Sequence, residues 1–204
     1  MSSFLISRGI PDKQRAAAAA LYWQAFGAKL GRVLGPEDSG RAFFERTLDG
    51  RYAYCALDGR GRVLGLAGFR TGTGSLTGGG LGDLAQVYGW WGAFWRAALL
   101  SLLERELAPG IMLMDGICVA AGARGQGIGG ALLDRIVTHA ADKGLAAVRL
   151  DVIDSNPRAR ALYERKGFVA GRETRLGPLR NVFGFRRATE MYRAISRAPA
   201  FCDP

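Results

Sequence analysis

A glycine-rich segment limits the possible folds and ligands of this chain more than any other feature of its sequence. Residues Arg124 to Gly130 read Arg-Gly-Gln-Gly-Ile-Gly-Gly. The apolar run Ile111 to Val119 precedes this segment with the pattern of a strand, and residues 128–141 follow it with the pattern of a helix. Such a turn leaves backbone N–H groups uncovered, and a helix start adds unpaired N–H groups and a positive dipole end. The segment therefore predicts a cradle for the diphosphate of a phosphorylated cofactor.

Two nucleotide-binding motifs could explain these glycines. A P-loop requires a Lys followed by Ser or Thr after the last glycine, whereas Ala131 and Leu132 follow here, so a nucleotide triphosphatase is not expected. The dinucleotide pattern G-x-G-x-x-G is present as Gly125, Gly127 and Gly130. Asp151 lies about 20 residues further on, as that motif asks. In a dinucleotide-binding unit, however, the strand turns straight into the first glycine, and here residues 120–124 separate them.

A third interpretation accounts for more of the chain. Residues 117–129 resemble the acetyl-CoA motif of the GCN5-related N-acetyltransferase (GNAT) family, whose core is written Q/R-x-x-G-x-G/A. That core is met by Arg124, Gly127 and Gly129, with Val119 five residues before the arginine and Ala121 where proline is common. Proline would only stiffen the turn, so its absence is a mild departure.

A second block supports the same resemblance. The family pattern N-x-x-A-x-x-x-Y-x-x-x-G-F is met in full by Asn156, Ala159, Tyr163, Gly167 and Phe168. Asn156 is expected to cap a helix that Pro157 opens, and Gly167 to end it. Neither nucleotide-binding motif predicts this block.

The resemblance implies an α+β fold. We expect a GNAT-like mixed, mostly antiparallel central sheet flanked by helices, with residues 71–110 forming an inserted helical segment between two core strands. The whole chain, residues 1–204, is expected to be a single acyl-CoA N-acyltransferase domain. In the family the strand ending at Val119 and the strand at Leu150 splay apart, and the pantetheine arm lies between them. Gly116 is compatible with a bulge in the first of these strands.

The resemblance also implies acetyl-CoA as co-substrate and a set of residues that bind it. The cofactor-binding set is Ile117, Val119, Arg124, Gly125, Gln126, Gly127, Ile128, Gly129, Gly130, Asn156 and Tyr163. Tyr163 occupies the place of the family's general acid, which protonates the departing CoA thiolate. Asp115 is the candidate general base, and period two places it on one strand face with Ile117 and Val119. The alternative for Asp115 is a strand-end carboxylate that only orders water.

Other reactive side chains are assigned structural roles. Cys118 lies beside the expected thioester path, but it has no histidine partner in sequence and period two turns it away from Asp115, so a buried cysteine is expected. The single histidine, His139, is expected on the surface of its helix, and one histidine excludes a His-based metal cluster. The cysteines at 55, 118 and 202 form no C-x-x-C, which predicts a reducing, cytoplasmic environment without zinc or disulfides.

The net charge of +10 raises the question of a nucleic-acid partner. Residues 121–204 hold 15 Lys and Arg against 8 Asp and Glu, or +7, whereas the first 120 hold 13 against 10, or +3. The excess therefore surrounds the expected CoA site, and no basic run of five residues appears, so we expect no nucleic-acid partner. Residues 1–8 lack a basic-then-apolar run, so no secretory signal is expected.

The segment from Leu84 to Leu103 carries a single charge, Arg96. A membrane span is disfavoured because that arginine would cost about 2.5–3.5 kcal/mol near the centre. One helical face gathers the apolar residues Trp91, Phe94, Trp95, Ala98 and Leu102, which favours a helix packed on the body of the protein. Its aromatic residues are expected in the core or in a homodimer contact. Residues 71–110 are expected to govern acceptor recognition or assembly.

These features together predict an N-acetyltransferase. It would move an acetyl group from acetyl-CoA to a primary amine of a small-molecule or peptide acceptor, by direct attack in a ternary complex, without a metal and without a membrane partner. The alternative is a non-catalytic acyl-CoA-binding sensor or scaffold domain. A more remote alternative is a dinucleotide-binding oxidoreductase.

Overall fold

A computed structural model describes residues 4–102 and 106–195 of the chain. The strands are β1 (Leu5–Arg8), β2 (Ala53–Leu57), β3 (Val63–Thr71), β4 (Gly74–Ser75), β5 (Ile111–Val119), β6 (Ala147–Ile153), β7 (Val169–Arg175) and β8 (Arg187–Ala194). The helices are α1 (Arg15–Leu34), α2 (Glu37–Thr47), α3 (Leu81–Ser101), α4 (Ile128–Asp142), α5 (Pro157–Arg165) and α6 (Arg180–Phe183).

One sheet connects all the strands, in the order β1-β2-β3-β5-β6-β8-β7, with β4 paired to β3. Within the described residues, the β5–β6 pair is parallel and every other strand pair is antiparallel. The predicted α+β class, with a mixed and mostly antiparallel sheet flanked by helices, is confirmed. The strand β1 lies at one edge of the sheet.

Helices cover both faces of the sheet, and each face has its own apolar core. On one face α4 contributes Leu132, Leu133 and Ile136, all fully buried, to a cluster that includes Met112 and Val148 of the central strands. This face exists because the apolar residues of α4 recur at helical spacing, so that one side of the helix meets the sheet.

The opposite face is covered by α1, α2 and α3. This second core contains four buried aromatic residues from α1 and α2. Tyr22 of α1 packs against Phe44 of α2 with a centroid distance of 4.9 Å. Trp23 is also buried, and its ring fills the space beside Gly40, where a Cβ atom would come within 2.1 Å of it. The glycine is therefore required for the close packing of α1 on α2.

The strands β5 and β6 diverge along their length, as the resemblance implies. Three residue pairs join them in register, ending with Leu113 opposite Arg149. Past this point β5 pairs only with β3, while β6 pairs only with β8. A bulge lies at the divergence, because Gly116 pairs with Gly68 and Met114 pairs with Phe69, which leaves Asp115 as an extra residue.

The helix α3, inserted between β4 and β5, turns its aromatic face outward. Trp91 is 91% exposed, and Trp90, Phe94, Trp95 and Leu102 are also exposed. The prediction that this face packs on the body was therefore wrong. The packed side instead uses Leu84 and the small residue Ala93, which permit close approach, and Gly89 breaks the helix with φ 67° and ψ 167°. Within the described residues, no helix is long and apolar enough to cross a membrane.

Candidate functional site

The glycine-rich segment forms the predicted turn between β5 and α4. Gly125 and Gly127 both have a φ of 80°, a conformation that only glycine adopts without strain, and Gly127 is the N-cap of α4. No described residue accepts a hydrogen bond from the backbone N–H groups of residues 125–130. These groups and the helix dipole therefore form a concave donor surface with the properties of a diphosphate site.

Two further glycines let α5 approach the start of α4. A Cβ atom at Gly129 would lie 3.3 Å from Leu162 Cδ2, and one at Gly130 would lie 3.0 Å from Lys166 Cε. By contrast, nothing lies within 4 Å of the Cβ position of Gly125 or Gly127. The first two glycines therefore keep the turn open toward solvent, whereas the last two permit helix packing.

Side chains of the segment stabilise the turn from outside. Arg124 Nε donates to the carbonyl oxygen of Val119 at 3.3 Å, and Gln126 Nε2 donates to that of Gly122 at 3.4 Å. Ile128 is buried in the core, so only its backbone is available to a ligand. Lys166 pairs with Asp134 of α4 beside the segment, and sequence reasoning did not single this lysine out.

The divergent part of β5 leads from the segment toward a cavity of about 1010 Å³. Ile117 lines this cavity, and Ile117 and Val119 both pack against the α4 side of the sheet. Their backbone edge facing β6 has no strand partner there, since β6 has turned to β8. An extended pantetheine arm fits such an edge, because it can bond to the strand backbone as an added strand does.

The second sequence block forms α5 at the same cavity. Asn156 caps the helix, its side-chain oxygen accepting the N–H of Ala159 at 3.1 Å, and Pro157 occupies the first turn as predicted. Tyr163 is buried, and burial raises the pKa of its phenol to about 12. No described residue is hydrogen-bonded to the Tyr163 hydroxyl, although the residue lines the cavity. Asn156 therefore caps α5 at the cavity, where its predicted contact with the cofactor stays a prediction, and Tyr163 is a protonated phenol at the cavity wall.

Asp115 lies on the floor of the same cavity. Its side chain is 2% exposed; Oδ2 accepts the backbone N–H of Leu76 at 2.9 Å, and Oδ1 lies 3.8 Å from Nε of Arg70. The prediction that Asp115 shares a strand face with Ile117 and Val119 was wrong. The bulge adds one residue, so Asp115 turns to the α1 side while the other two turn to the α4 side.

Cys118 is a buried thiol, as predicted. Its Sγ donates to the carbonyl oxygen of Leu66 at 3.7 Å, and burial raises its pKa to about 12, so it is no nucleophile at neutral pH. It lies on the same side of the sheet as Asp115, contrary to the prediction from period two, because of the same bulge.

His139 was predicted on the surface of its helix, and this was wrong. The imidazole is 7% exposed and packs against Phe69 with a centroid distance of 5.0 Å. Burial lowers its pKa. The residue belongs to the buried face of α4 because it follows Ile136 by three positions, a spacing that the sequence already contained. Across the described residues there is no group of three or more His, Cys, Asp or Glu side chains that could hold a metal ion.

The cavity floor carries polar and charged residues that the sequence did not place there; among them, only Asp151 had been noted, for the dinucleotide motif. Arg149 of β6 bonds Glu190 of β8 at 3.1 Å and lies 3.4 Å from Asp151, while the Tyr192 hydroxyl donates to Glu190 at 2.7 Å. All four line the cavity, as does Arg70 of β3. The alternation of polar residues with buried Val148, Leu150 and Val152 along β6 is the signal that could have placed Arg149 and Asp151 on the cavity side of the sheet.

Comparison with known proteins agrees with this architecture. The model of the Acetyltransferase (GNAT) family matches residues 16–168, and the chain belongs to that family. Among solved structures, an N-acetyltransferase from Staphylococcus aureus Mu50 shares 19% identity at a TM-score of 0.62, covering 96% of this chain and 100% of that one. The ribosomal-protein-S18-alanine N-acetyltransferase from Escherichia coli shares 20% identity at a TM-score of 0.57, covering 99% and 100%.

A third solved structure, the GCN5-related N-acetyltransferase from Kribbella flavida, shares 17% identity at a TM-score of 0.61 and covers 94% of this chain and 97% of that one. At these identities the likeness shows the fold. Because the chain belongs to this family, the glycine-rich segment is interpreted as a CoA-binding motif and not as a dinucleotide-binding motif.

Replacement of Gly127 by Glu should weaken acetyl-CoA binding. The substitution places a carboxylate against the diphosphate position and an L-residue at a φ of 80°. We expect the dissociation constant measured by calorimetry to rise at least tenfold, equivalent to about 1.4 kcal/mol.

Gly144→Glu is the matched control, because Gly144 has a φ of 68°, open space around its Cβ position, and a place at the other end of α4. This control should keep wild-type affinity. Unchanged affinity in a folded Gly127→Glu protein would rule out the segment as the diphosphate site.

Proposed function

We propose that this protein transfers an acetyl group from acetyl-CoA to a primary amine by direct attack in a ternary complex. The observation that carries the proposal is the divergence of β5 and β6. It joins an open N–H cradle at the start of α4 to a cavity lined by Tyr163 and Asp115. The cradle suits the phosphates of an acyl carrier, and the cavity suits an acceptor. The two molecules would meet where β5 and β6 separate.

The cradle and the free edge of β5 would hold the acyl donor. Backbone N–H groups of residues 125–130 would bind the diphosphate, and the backbone of β5 beyond Leu113 would bond to the pantetheine amides. This arrangement directs the thioester toward the cavity, because β5 runs from the cradle to the bulge at Asp115.

Transfer requires removal of a proton from the acceptor amine. A primary amine with a pKa near 10 is mostly protonated at neutral pH, so it must lose a proton before it attacks the thioester carbonyl. Asp115 is the proposed proton acceptor. The N–H of Leu76 and the guanidinium of Arg70 fix the orientation of its carboxylate toward the cavity. The neutral amine nitrogen forms a bond to the acetyl carbon, and the bond from that carbon to sulfur breaks. The nitrogen then releases its second proton, which replaces through solvent the proton that the departing thiolate takes up.

Tyr163 is the proposed proton donor to the departing thiolate. Because burial raises the pKa of its phenol to about 12, the hydroxyl keeps its proton throughout the neutral range. The CoA thiolate, whose thiol resembles that of cysteine, is a stronger base when it forms in a poorly solvated cavity than in water. A nearby phenol therefore stabilises it as it forms.

The Tyr163→Phe variant should lose turnover while keeping acetyl-CoA affinity. The change removes a proton donor but little contact area, so we expect kcat to fall at least tenfold with the KM for acetyl-CoA within about twofold. The measurement is thiol release from acetyl-CoA with a panel of primary amines between pH 6.5 and 9.5. Across that range the wild-type rate should show no loss from ionisation of Tyr163, whose pKa lies above it.

Tyr54→Phe is the control for hydroxyl removal, since Tyr54 is buried in the α4 core and does not line the cavity. Wild-type turnover of Tyr163→Phe at every pH would leave Tyr163 a packing residue. Acetyl-CoA binding without thiol release to any amine would favour the alternative of a non-catalytic acyl-CoA sensor or scaffold.

We also propose that two copies of the chain associate through the aromatic face of α3. Trp90, Trp91, Phe94 and Trp95 are 63%, 91%, 57% and 44% exposed. At 150–250 Å² per aromatic side chain, the exposed area is roughly 400–600 Å², about half to three quarters of the ~800 Å² that a stable contact needs from each partner. The guanidinium of Arg96 stacks on the rings of Trp95 and Tyr88, at 4.2 and 4.0 Å from their centroids.

The Trp91→Glu variant tests this contact. Since Trp91 is 91% exposed, the substitution should change the free energy of unfolding by no more than about 0.5 kcal/mol. Light scattering should show a dimer for the wild type, a monomer for Trp91→Glu, and a dimer for the control Val169→Glu, which alters an exposed residue at the far edge of the sheet. A monomeric wild type would contradict the proposal.

The cytoplasmic location of the protein remains a prediction.

A further inference from the structure

The acceptor end of the cavity contains an arginine with an unused donor. Arg70 of β3 lines the cavity with a side chain that is 30% exposed, yet its Nε atom is buried. Within the described part of the chain, no acceptor lies within hydrogen-bond distance of Nε. The Oδ1 atom of Asp115 is 3.8 Å away, close enough for attraction between the charges but too far for a hydrogen bond.

An unsatisfied donor of this kind is costly. A buried polar group without a partner costs about 1–3 kcal/mol, and more when the group is charged. The cost is recovered when a ligand supplies the missing acceptor. Arginine is suited to carboxylates in particular, because its planar guanidinium binds both carboxylate oxygens at once.

The neighbouring carboxylate of Asp115 defines the rest of the ligand. In the proposed function, Asp115 receives the proton of the acceptor amine, so the ammonium group of the incoming acceptor lies beside it. The guanidinium of Arg70 lies 3.8 Å from Asp115. It therefore faces the chemical group that the acceptor carries next to its amine. Two opposite charges at this separation complement a ligand whose own ammonium and carboxylate groups are neighbours.

The walls around this pair are apolar. Phe43 and Phe44 of α2 and Phe26 of α1 line the same cavity, and the ring of Phe26 lies over Gly116, where a Cβ atom would be 2.5 Å from it. These rings offer an apolar surface to the remainder of the acceptor.

We propose that the acceptor is an α-amino acid, whose carboxylate binds Arg70 while its amine lies beside Asp115. The inference rests on the proposed acetyl transfer and names the acceptor class of that site. The reaction remains the one described above: the amine nitrogen gains the acetyl group, the thiolate leaves, and the carboxylate is unchanged. Because the walls are aromatic, amino acids with apolar side chains should react best.

The test compares amino acids with their amides. Thiol release from acetyl-CoA is measured with each of the common L-amino acids and with the corresponding α-amides, which keep the amine and side chain but lose the negative charge. An amide loses its ammonium proton more readily, because no carboxylate stabilises that charge, so lower reactivity of the amide cannot come from poorer deprotonation. We expect KM for the acids to be at least tenfold lower than for their amides.

The Arg70→Gln variant should remove this difference. We expect KM for the amino acids to rise at least tenfold and so to approach KM for the amides, while calorimetric affinity for acetyl-CoA stays unchanged. Any loss of kcat that follows from the changed surroundings of Asp115 should be shared by the acids and the amides. Arg70→Lys should restore part of the loss, because it keeps the charge without the planar guanidinium. Arg175→Gln is the control for net charge, as Arg175 is 81% exposed on β7 and does not line the cavity. If Arg70→Gln does not fold, Arg70→Met, which keeps an unbranched stem and removes the charge, replaces it.

The outcomes separate this inference from the proposed function. Equal reactivity of acids and amides, unchanged kinetics in Arg70→Gln, or thiol release only with other primary amines would overturn the amino-acid assignment and leave acetyl transfer standing. Failure to bind acetyl-CoA, or binding without release to any amine, would overturn the transferase proposal and this inference with it.

Discussion

The parting of β5 from β6 is the constraint on which the rest of the structure depends. A parallel pair that ends after three residue pairs leaves backbone donors and acceptors of β5 without strand partners in the middle of the sheet. Buried backbone groups without partners are costly, so such an opening persists only where surrounding structure maintains it and a ligand can use it. The bulge at Asp115 accommodates the opening on the β3 side, and β8 takes over the pairing of β6.

The same opening decides where the helices lie. The start of α4 is held at the end of β5 by a turn whose first glycines take left-handed conformations, and α5 packs close to it because Gly129 and Gly130 lack side chains. Tyr163 of α5 reaches the cavity as a result. A single arrangement therefore links an anion cradle, a free strand edge and a protonated phenol.

The cavity floor shows how the sheet supplies polarity beside two apolar cores. Arg149 and Asp151 of β6 face the cavity, while Val148, Leu150 and Val152 of the same strand face the α4 core. Partly buried ion pairs add little to stability compared with apolar residues of the same volume. Stability alone therefore does not account for their presence on this face.

The sequence by itself determined the family, the class of fold and the glycine segment, because these follow from local patterns. The order of glycines fixes a turn, helical spacing fixes the buried face of α4, and Asn156 with Pro157 fixes the start of α5. Even so, a bulge of one residue inverted the side of the sheet to which Asp115 turns, since strict alternation cannot anticipate an extra residue. The burial of His139 was available from its helical spacing and was overlooked.

Only the tertiary structure decided which surfaces meet. The aromatic residues of α3 have the spacing of a packed helix, yet the small residue Ala93 forms the packed side because it permits closer approach to the body. Likewise, Arg70 and Asp115 come from strands separated by the whole inserted segment, and nothing in their local sequence marks them as neighbours. Long-range pairing of β3 with β5 brings them together, and that pairing depends on the fold of the entire sheet.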